Sequence, residues 1–85
     1  NPREQVIRQA HALVDEHAKH VFEQPGISPQ NIHVYLLEYF NVCSAVRDSV
    51  EQTISDESLR NDFVNAFTVY EGRVGTHYVD SINNQ

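Results

Sequence analysis

Hydrophobic residues recur every three to four positions along most of the chain, which is the period of an amphipathic α-helix. The pattern begins after Asn1 and Pro2, a pair typical of a helix start because proline needs no N–H at the first helical position. One apolar stripe then contains Val6, Ile7, Ala10, Leu13, Val14, His17, Ala18, Val21 and Phe22. Charged residues lie between these positions, so we predict a first helix with one buried face and one solvated face.

Two short segments interrupt this helical period. Residues 24–29 contain two prolines and a glycine, which exclude a continuous helix. We expect Ser28, directly before Pro29, to be the N-cap of a second helix.

The second interruption carries the signature of a helix N-terminus. Ser55 precedes Asp56 and Glu57. In this order the hydroxyl can cap a free N–H, and the carboxylates face the positive end of the helix dipole. We expect Ile54 and Leu59 to pack together around this cap as a hydrophobic staple.

Together the interruptions predict three helices over about residues 2–24, 29–54 and 56–82, to within about two to four residues. The expected fold is all-α, a three-helix antiparallel bundle. We expect residues 1–85 to form one domain. A chain of this length buries only a little over ~60% of its unfolded surface, so its core must be thin.

The second predicted helix has apolar residues on two faces. We expect it to be the central helix of the bundle, with a main stripe of Ile32, Tyr35, Leu36, Tyr39, Val42, Cys43, Val46, Val50 and Ile54. Four further apolar residues lie off this stripe: Val34, Leu37, Phe40 and Ala45. A second apolar face needs a second partner. Either the other two helices cover both faces, or the outer face belongs to an oligomer or partner interface.

The third predicted helix repeats the apolar stripe but contains two glycines. The stripe comprises Leu59, Phe63, Ala66, Phe67, Tyr70, Val74, His77, Tyr78 and Ile82. Gly72 and Gly75 each cost about 0.8–1 kcal/mol relative to Ala in a helix interior. A kink, a close helix–helix approach or an early end of the helix would explain them, and we favour the close approach.

Aromatic side chains are numerous for so thin a core, with four Tyr and four Phe. Tyrosine is favoured where one end of the side chain is dry and the other wet, as at an interface. We therefore predict a partner-binding surface on the second and third helices, formed by Val34, Tyr35, Leu37, Tyr39, Phe40, Phe67 and Tyr70.

The charge balance narrows the possible partners. Twelve acidic residues against six Lys and Arg give a formal charge of −6. Nucleic acid and anionic membrane surfaces need a basic face, which scattered single cations do not provide. A single cysteine cannot form an internal disulfide and favours a reducing compartment, so we expect the protein to be cytoplasmic.

Five histidines raise the possibility of a metal or pH sensor. His17 and His20 are three residues apart on one helix, and His33 or His77 could supply a further ligand. This sensor is our alternative function, although no established metal-binding spacing supports it. Otherwise we expect His11, His20 and His33 to be exposed, and His17 and His77 to be packed with one ring nitrogen hydrogen-bonded. Burial of His17 in the apolar stripe would make acidification destabilising.

Catalytic signatures are weak throughout the sequence. Cys43 lies on an apolar stripe, so we expect a core thiol and not a nucleophile. The adjacent acids Asp15/Glu16 and Asp56/Glu57 do not face each other, and no glycine-rich phosphate loop is present. We predict no enzyme activity, no catalytic residue, no metal and no cofactor.

The apolar and aromatic surplus therefore favours a small acidic protein–protein interaction module. Two mechanisms fit this prediction. One is a homodimer formed through the second or third helix. The other is a regulator that occludes a partner such as a transcription factor, as an anti-activator or antitoxin-like inhibitor does; this second idea rests on analogy between classes of small acidic helical proteins.

Overall fold

Three helices and no strand make up the chain in a computed structural model that describes all residues 1–85. They are α1 (Pro2–Phe22), α2 (Ile32–Glu51) and α3 (Glu57–Asn83). The prediction of an all-helical, three-helix fold is confirmed. None of the three helices has the length and hydropathy that a membrane-spanning helix needs.

The start of α1 agrees with its predicted cap. The Asn1 side-chain oxygen accepts hydrogen bonds from the backbone N–H groups of Arg3 at 2.9 Å and Glu4 at 3.4 Å. Pro2 occupies the first helical position. Pro2 has no N–H, so one side chain satisfies the free N–H groups of the next two residues.

The second helix begins three residues later than predicted, and the expected Ser28 cap is wrong. The Asn31 side chain instead closes the preceding loop, because its oxygen accepts from the Ser28 N–H at 2.8 Å and its amide donates to the Gly26 carbonyl at 2.9 Å. Gly26 has a φ of 89°, which glycine adopts without the penalty of a Cβ. The loop between α1 and α2 is thus held by its own polar groups.

The third helix is capped by Asp56 and not by Ser55 as predicted. The Asp56 carboxylate accepts from the Leu59 N–H at 2.9 Å. This shift by one residue moves the two staple positions of the helix from Ile54 and Leu59 to Ser55 and Arg60. Arg60 closes the turn instead and donates to the Ile54 carbonyl at 3.0 Å.

Consecutive helices are antiparallel, so α1 and α3 run parallel to each other. Arg3 pairs with Asp62 at 3.4 Å near their N-terminal ends, and the Tyr78 hydroxyl donates to Glu23 at 3.3 Å near the C-terminal end of α1. The α1–α3 contact is the most extensive in the bundle, and α2 packs less extensively against either helix. The prediction that the second helix is the central one is therefore wrong.

The core is small, as the chain length requires. Thirteen of 85 residues are buried, and the molecule measures 43 × 20 × 15 Å. The hydrophobic core contains Ala10, Val14, Ala18, Val21, Phe22, Ile32, Tyr39, Cys43, Phe63, Phe67 and Ile82. Most of the aromatic surplus is absorbed here or at the core's edge, where Tyr35, Tyr70 and Tyr78 are half-buried.

The close approach predicted for the glycines of α3 is found at Gly75 alone. A Cβ built on Gly75 would lie 3.2 Å from Tyr39 Cε2 and 3.7 Å from Leu36 Cδ1, whereas one on Gly72 would meet nothing within 4 Å. Gly75 therefore allows the Tyr39 ring to lie against the α3 backbone. The close approach does not explain Gly72, which is exposed.

The two glycines should consequently respond to alanine in opposite directions. We expect Gly75→Ala to lower the free energy of unfolding by about 1–3 kcal/mol, because the Tyr39 ring is enclosed and cannot move away freely. Gly72→Ala should raise it by about 0.4–1 kcal/mol, since alanine is the better helix former in open space. Urea denaturation of both variants measures the effects, and a stabilising Gly75→Ala would contradict the packing described here.

Candidate functional site

Three large apolar side chains lie uncovered on the outer side of α2. Val34 is 56% exposed, Leu37 63% and Phe40 40%, and these three residues define the α2 patch. Among the exposed large hydrophobic residues of the chain only Val69, at 55%, lies outside it. The alternative in which the other two helices cover both faces of α2 is wrong at these positions.

A groove between α2 and α3 adjoins the α2 patch at Phe40. Its volume is about 180 Å³, and its walls are formed by Leu36, Phe40, Gly75, Thr76, Val79 and Asp80. Pockets for drug-sized ligands have volumes of about 300–1,000 Å³, so the groove suits an inserted side chain better than a small molecule.

The other residues predicted for partner binding are less accessible. Tyr39 and Phe67 are fully buried in the core, which removes them from any surface of the closed bundle. Tyr35 and Tyr70 are half-buried, and the Tyr70 hydroxyl donates to Asp15 at 2.8 Å. The helical period correctly placed Tyr39 and Phe67 on their apolar stripes. The large number of aromatic residues, in contrast, led to the wrong expectation that these two side chains are accessible.

Tyr39 determines how α2 lies on α3. Its hydroxyl donates to the Glu71 backbone carbonyl at 2.6 Å, and its ring packs on Phe22 with centroids 5.0 Å apart. The same side chain faces Gly75, as described above. Because the ring is fixed at both its apolar and its polar end, α2 cannot rotate without breaking these contacts.

A charged pair lies beside Tyr39, and sequence reasoning missed it. Glu71 is only 7% exposed, and Arg47 Nη1 lies 3.3 Å from its carboxylate. The Arg47 guanidinium is also 5.9 Å from the centroid of the Phe67 ring, within reach of a cation–π contact. The four-residue spacing of Phe63, Phe67, Glu71 and Gly75 was the available signal, since it places Glu71 on the buried line of α3.

Burial has the largest effect on the pKa values of Glu71 and of its neighbours Cys43 and Tyr39. Desolvation raises the pKa of Glu71, and the nearby Arg47 charge lowers it by less than burial raises it. Desolvation, together with the Glu71 charge, also raises the pKa of Cys43 to about 12, and burial raises the pKa of Tyr39. Every buried side-chain nitrogen and oxygen nevertheless has a hydrogen-bond partner.

The raised pKa of Glu71 predicts a specific pH dependence of stability. The folded state binds the Glu71 proton more tightly than the unfolded state, so the stability from this group is present at low pH and falls as pH rises through its folded pKa. The free energy of unfolding of Glu71→Gln, relative to wild type, should therefore rise from about pH 4 to about pH 7. Urea denaturation across this range tests the sign, with Glu38→Gln as an exposed control. A relative stability that falls over the same range would contradict the prediction.

The charges around the α2 patch are negative. Glu38 lies one turn after Val34, and Asp80 forms part of the groove wall. Both carboxylates are exposed and neither takes part in an ion pair or a side-chain hydrogen bond. Arg47 is the only Lys or Arg in α2, and it is bound to Glu71. The patch therefore has an acidic border, formed by Glu38 and Asp80, whose carboxylates have no cation of this chain within ion-pair distance.

A second groove lies between α1 and α3. It has a volume of about 330 Å³, is open to solvent, and is lined by Arg3, Ile7, His11, Asp62, Asn65, Ala66, Val69, Tyr70 and Arg73. Several of its polar groups already have partners within the chain. Arg3 pairs with Asp62, and the His11 ring stacks on Tyr70 with centroids 4.2 Å apart. The groove thus has one exposed large apolar residue, Val69, and most of its polar side chains contact other residues of the chain.

The histidines follow the sequence expectations only in part. His17 is half-buried and its Nδ1 lies 2.7 Å from the Leu13 carbonyl oxygen, as predicted, and His20 and His33 are exposed. His77 is exposed and His11 is half-buried, so these two expectations are wrong. No group of three or more His, Cys, Asp or Glu side chains is arranged to hold a metal ion, so the residues of the alternative metal sensor are not brought together.

Comparison with protein-family models, curated proteins and solved structures gives no match.

Proposed function

We propose that this chain is a protein–protein interaction module that binds a partner through the α2 patch and the adjoining groove. In this proposal it acts as a regulator that occludes part of its partner's surface, and a transcription factor is one class of partner that such regulators control. The observation that carries the proposal is the cluster of exposed apolar side chains within seven residues of one helix, Val34 to Phe40.

The energetics favour a partner for these side chains. Fully burying a Val, Leu or Phe side chain contributes about 1.5–3 kcal/mol. Stable interfaces commonly have a few such residues at their centre with polar residues around them. The α2 patch has this composition, since Leu37 is its most exposed member and Glu38, Asn41 and Ser44 lie close by on the same helix.

A homodimer through α2 is the second arrangement that would cover the patch. Light scattering over a range of protein concentrations separates the two arrangements, because only a homodimer changes its mass when the purified chain is studied alone. The alternative of a metal sensor has less support, since its histidines are not clustered.

Affinity capture tests the proposal directly. We expect the wild-type chain to retain a partner from an extract of the organism that makes it, and Leu37→Arg and Phe40→Asp to reduce the retained amount at least about tenfold, because a charge at an interface centre costs more than about 1.4 kcal/mol. Val69→Arg is the matched control, since Val69 is similarly exposed but lies in the other groove. Circular dichroism verifies that each variant is folded. Retention of every partner by both patch variants would refute the proposed surface.

A further inference from the structure

We propose that the α2 patch and its groove bind a cationic amphipathic helix of another protein. In this arrangement apolar side chains of the bound helix cover Leu37 and Phe40, and its Lys or Arg side chains lie beside Glu38 and Asp80. The inference rests on the proposed function and adds the chemistry of the partner segment.

The negative charge of the acidic border favours a partner segment with positive charge. Glu38 follows Val34 by one turn on one side of the patch, and Asp80 lies across the groove on α3. Neither carboxylate has a cation of this chain within ion-pair distance. The one Lys or Arg of α2, Arg47, is bound to Glu71. It cannot pair with Glu38 or Asp80 without breaking that contact. A ligand with positive charges flanking an apolar centre is therefore complementary to this surface.

The shape of the site favours a helix as the bound element. Val34, Leu37 and Phe40 are spaced three residues apart and so extend about 9 Å along α2. The groove runs beside this row, between Leu36 on α2 and Val79 on α3. A helix with apolar residues every three to four positions can place one side chain in the groove and its neighbours against the row.

The same charges argue against a second copy of this chain as the occupant. In a symmetric dimer the same surface is used by both subunits, so an interface centred on Leu37 brings two copies of Glu38 close to the symmetry axis. Two copies of Asp80 are also added to the same acidic border. Like charges that face each other across an interface raise the free energy of the complex.

Designed peptides of about 18 residues provide the test, since this length spans the patch and groove. One peptide has Leu at the apolar helical positions and Lys at the others. Two companions keep the Leu positions and replace Lys with Gln or with Glu. Fluorescence anisotropy with the 85-residue chain measures their dissociation constants, and NMR shift changes locate the contact.

We expect the Lys peptide to bind at least about tenfold more tightly than the Gln peptide, and the Glu peptide to bind least. The affinity of the Lys peptide should fall as NaCl rises from about 50 to about 500 mM. Shift changes should centre on Leu37 and Phe40.

Three variants separate docking from general charge attraction. Leu37→Asp should abolish binding of the Lys peptide although it makes the chain more acidic, because the apolar contact is lost. Glu38→Gln combined with Asp80→Asn should remove the preference for Lys over Gln. Glu4→Gln combined with Glu57→Gln changes the net charge equally at exposed positions in the first turns of α1 and α3, and should preserve that preference.

The outcomes distinguish this inference from the proposed function. Equal binding of the Lys and Gln peptides, or no binding of either, would overturn the inference, and the proposed function would still stand if Leu37→Arg abolished capture of a partner. Unchanged binding of the Lys peptide to Leu37→Asp would also overturn it. A concentration-dependent dimer that dissociates in Leu37→Asp would identify a second copy as the occupant.

Discussion

The contact of Tyr39 with α3 is the interaction on which the arrangement of the bundle depends. The ring lies against Gly75, where a side chain would not fit without displacement, and the hydroxyl donates to the Glu71 carbonyl at 2.6 Å. A residue fixed at both ends sets the rotation of its helix as well as its distance from the neighbouring helix. With Tyr39 facing inward, Leu37 lies about 160° away around α2 and must face outward.

This constraint explains why one helix of a small protein has a bare apolar face. The most extensive packing is between α1 and α3, so α2 contacts the other two helices along a single stripe. Within residues 1–85, the three helices leave Val34, Leu37 and Phe40 exposed. The buried side-chain nitrogen and oxygen atoms, by contrast, all have hydrogen-bond partners. The side chains that the bundle leaves without packing partners are therefore apolar and lie on its surface.

Sequence periodicity was sufficient for the three helices and for the off-stripe position of Leu37, because both follow from the 3.6-residue repeat alone. The cap residues were predicted less well, since Ser28 and Asn31 compete for one loop through hydrogen bonds that depend on its closed geometry. The burial of Glu71 was missed because it depends on a contact with Arg47. Arg47 is 24 residues away in the chain, so the pattern of α3 alone does not reveal this contact. The pairing of α1 with α3 is likewise a tertiary property that no single helix pattern contains.

Thiol labelling of Leu37→Cys most directly tests whether the α2 patch is bare in the isolated chain, because the native Cys43 provides a buried reference in the same molecule. The raised pKa of Cys43, about 12 against an ordinary 9.0, predicts that at about pH 8 its thiolate fraction is about a thousandfold smaller than that of a free thiol. We expect the thiol introduced at position 37 to react at the rate of an unfolded peptide at every protein concentration, and Cys43 to remain unlabelled. Equal labelling of the two positions, or protection of position 37 in the isolated chain, would contradict this structure of the patch.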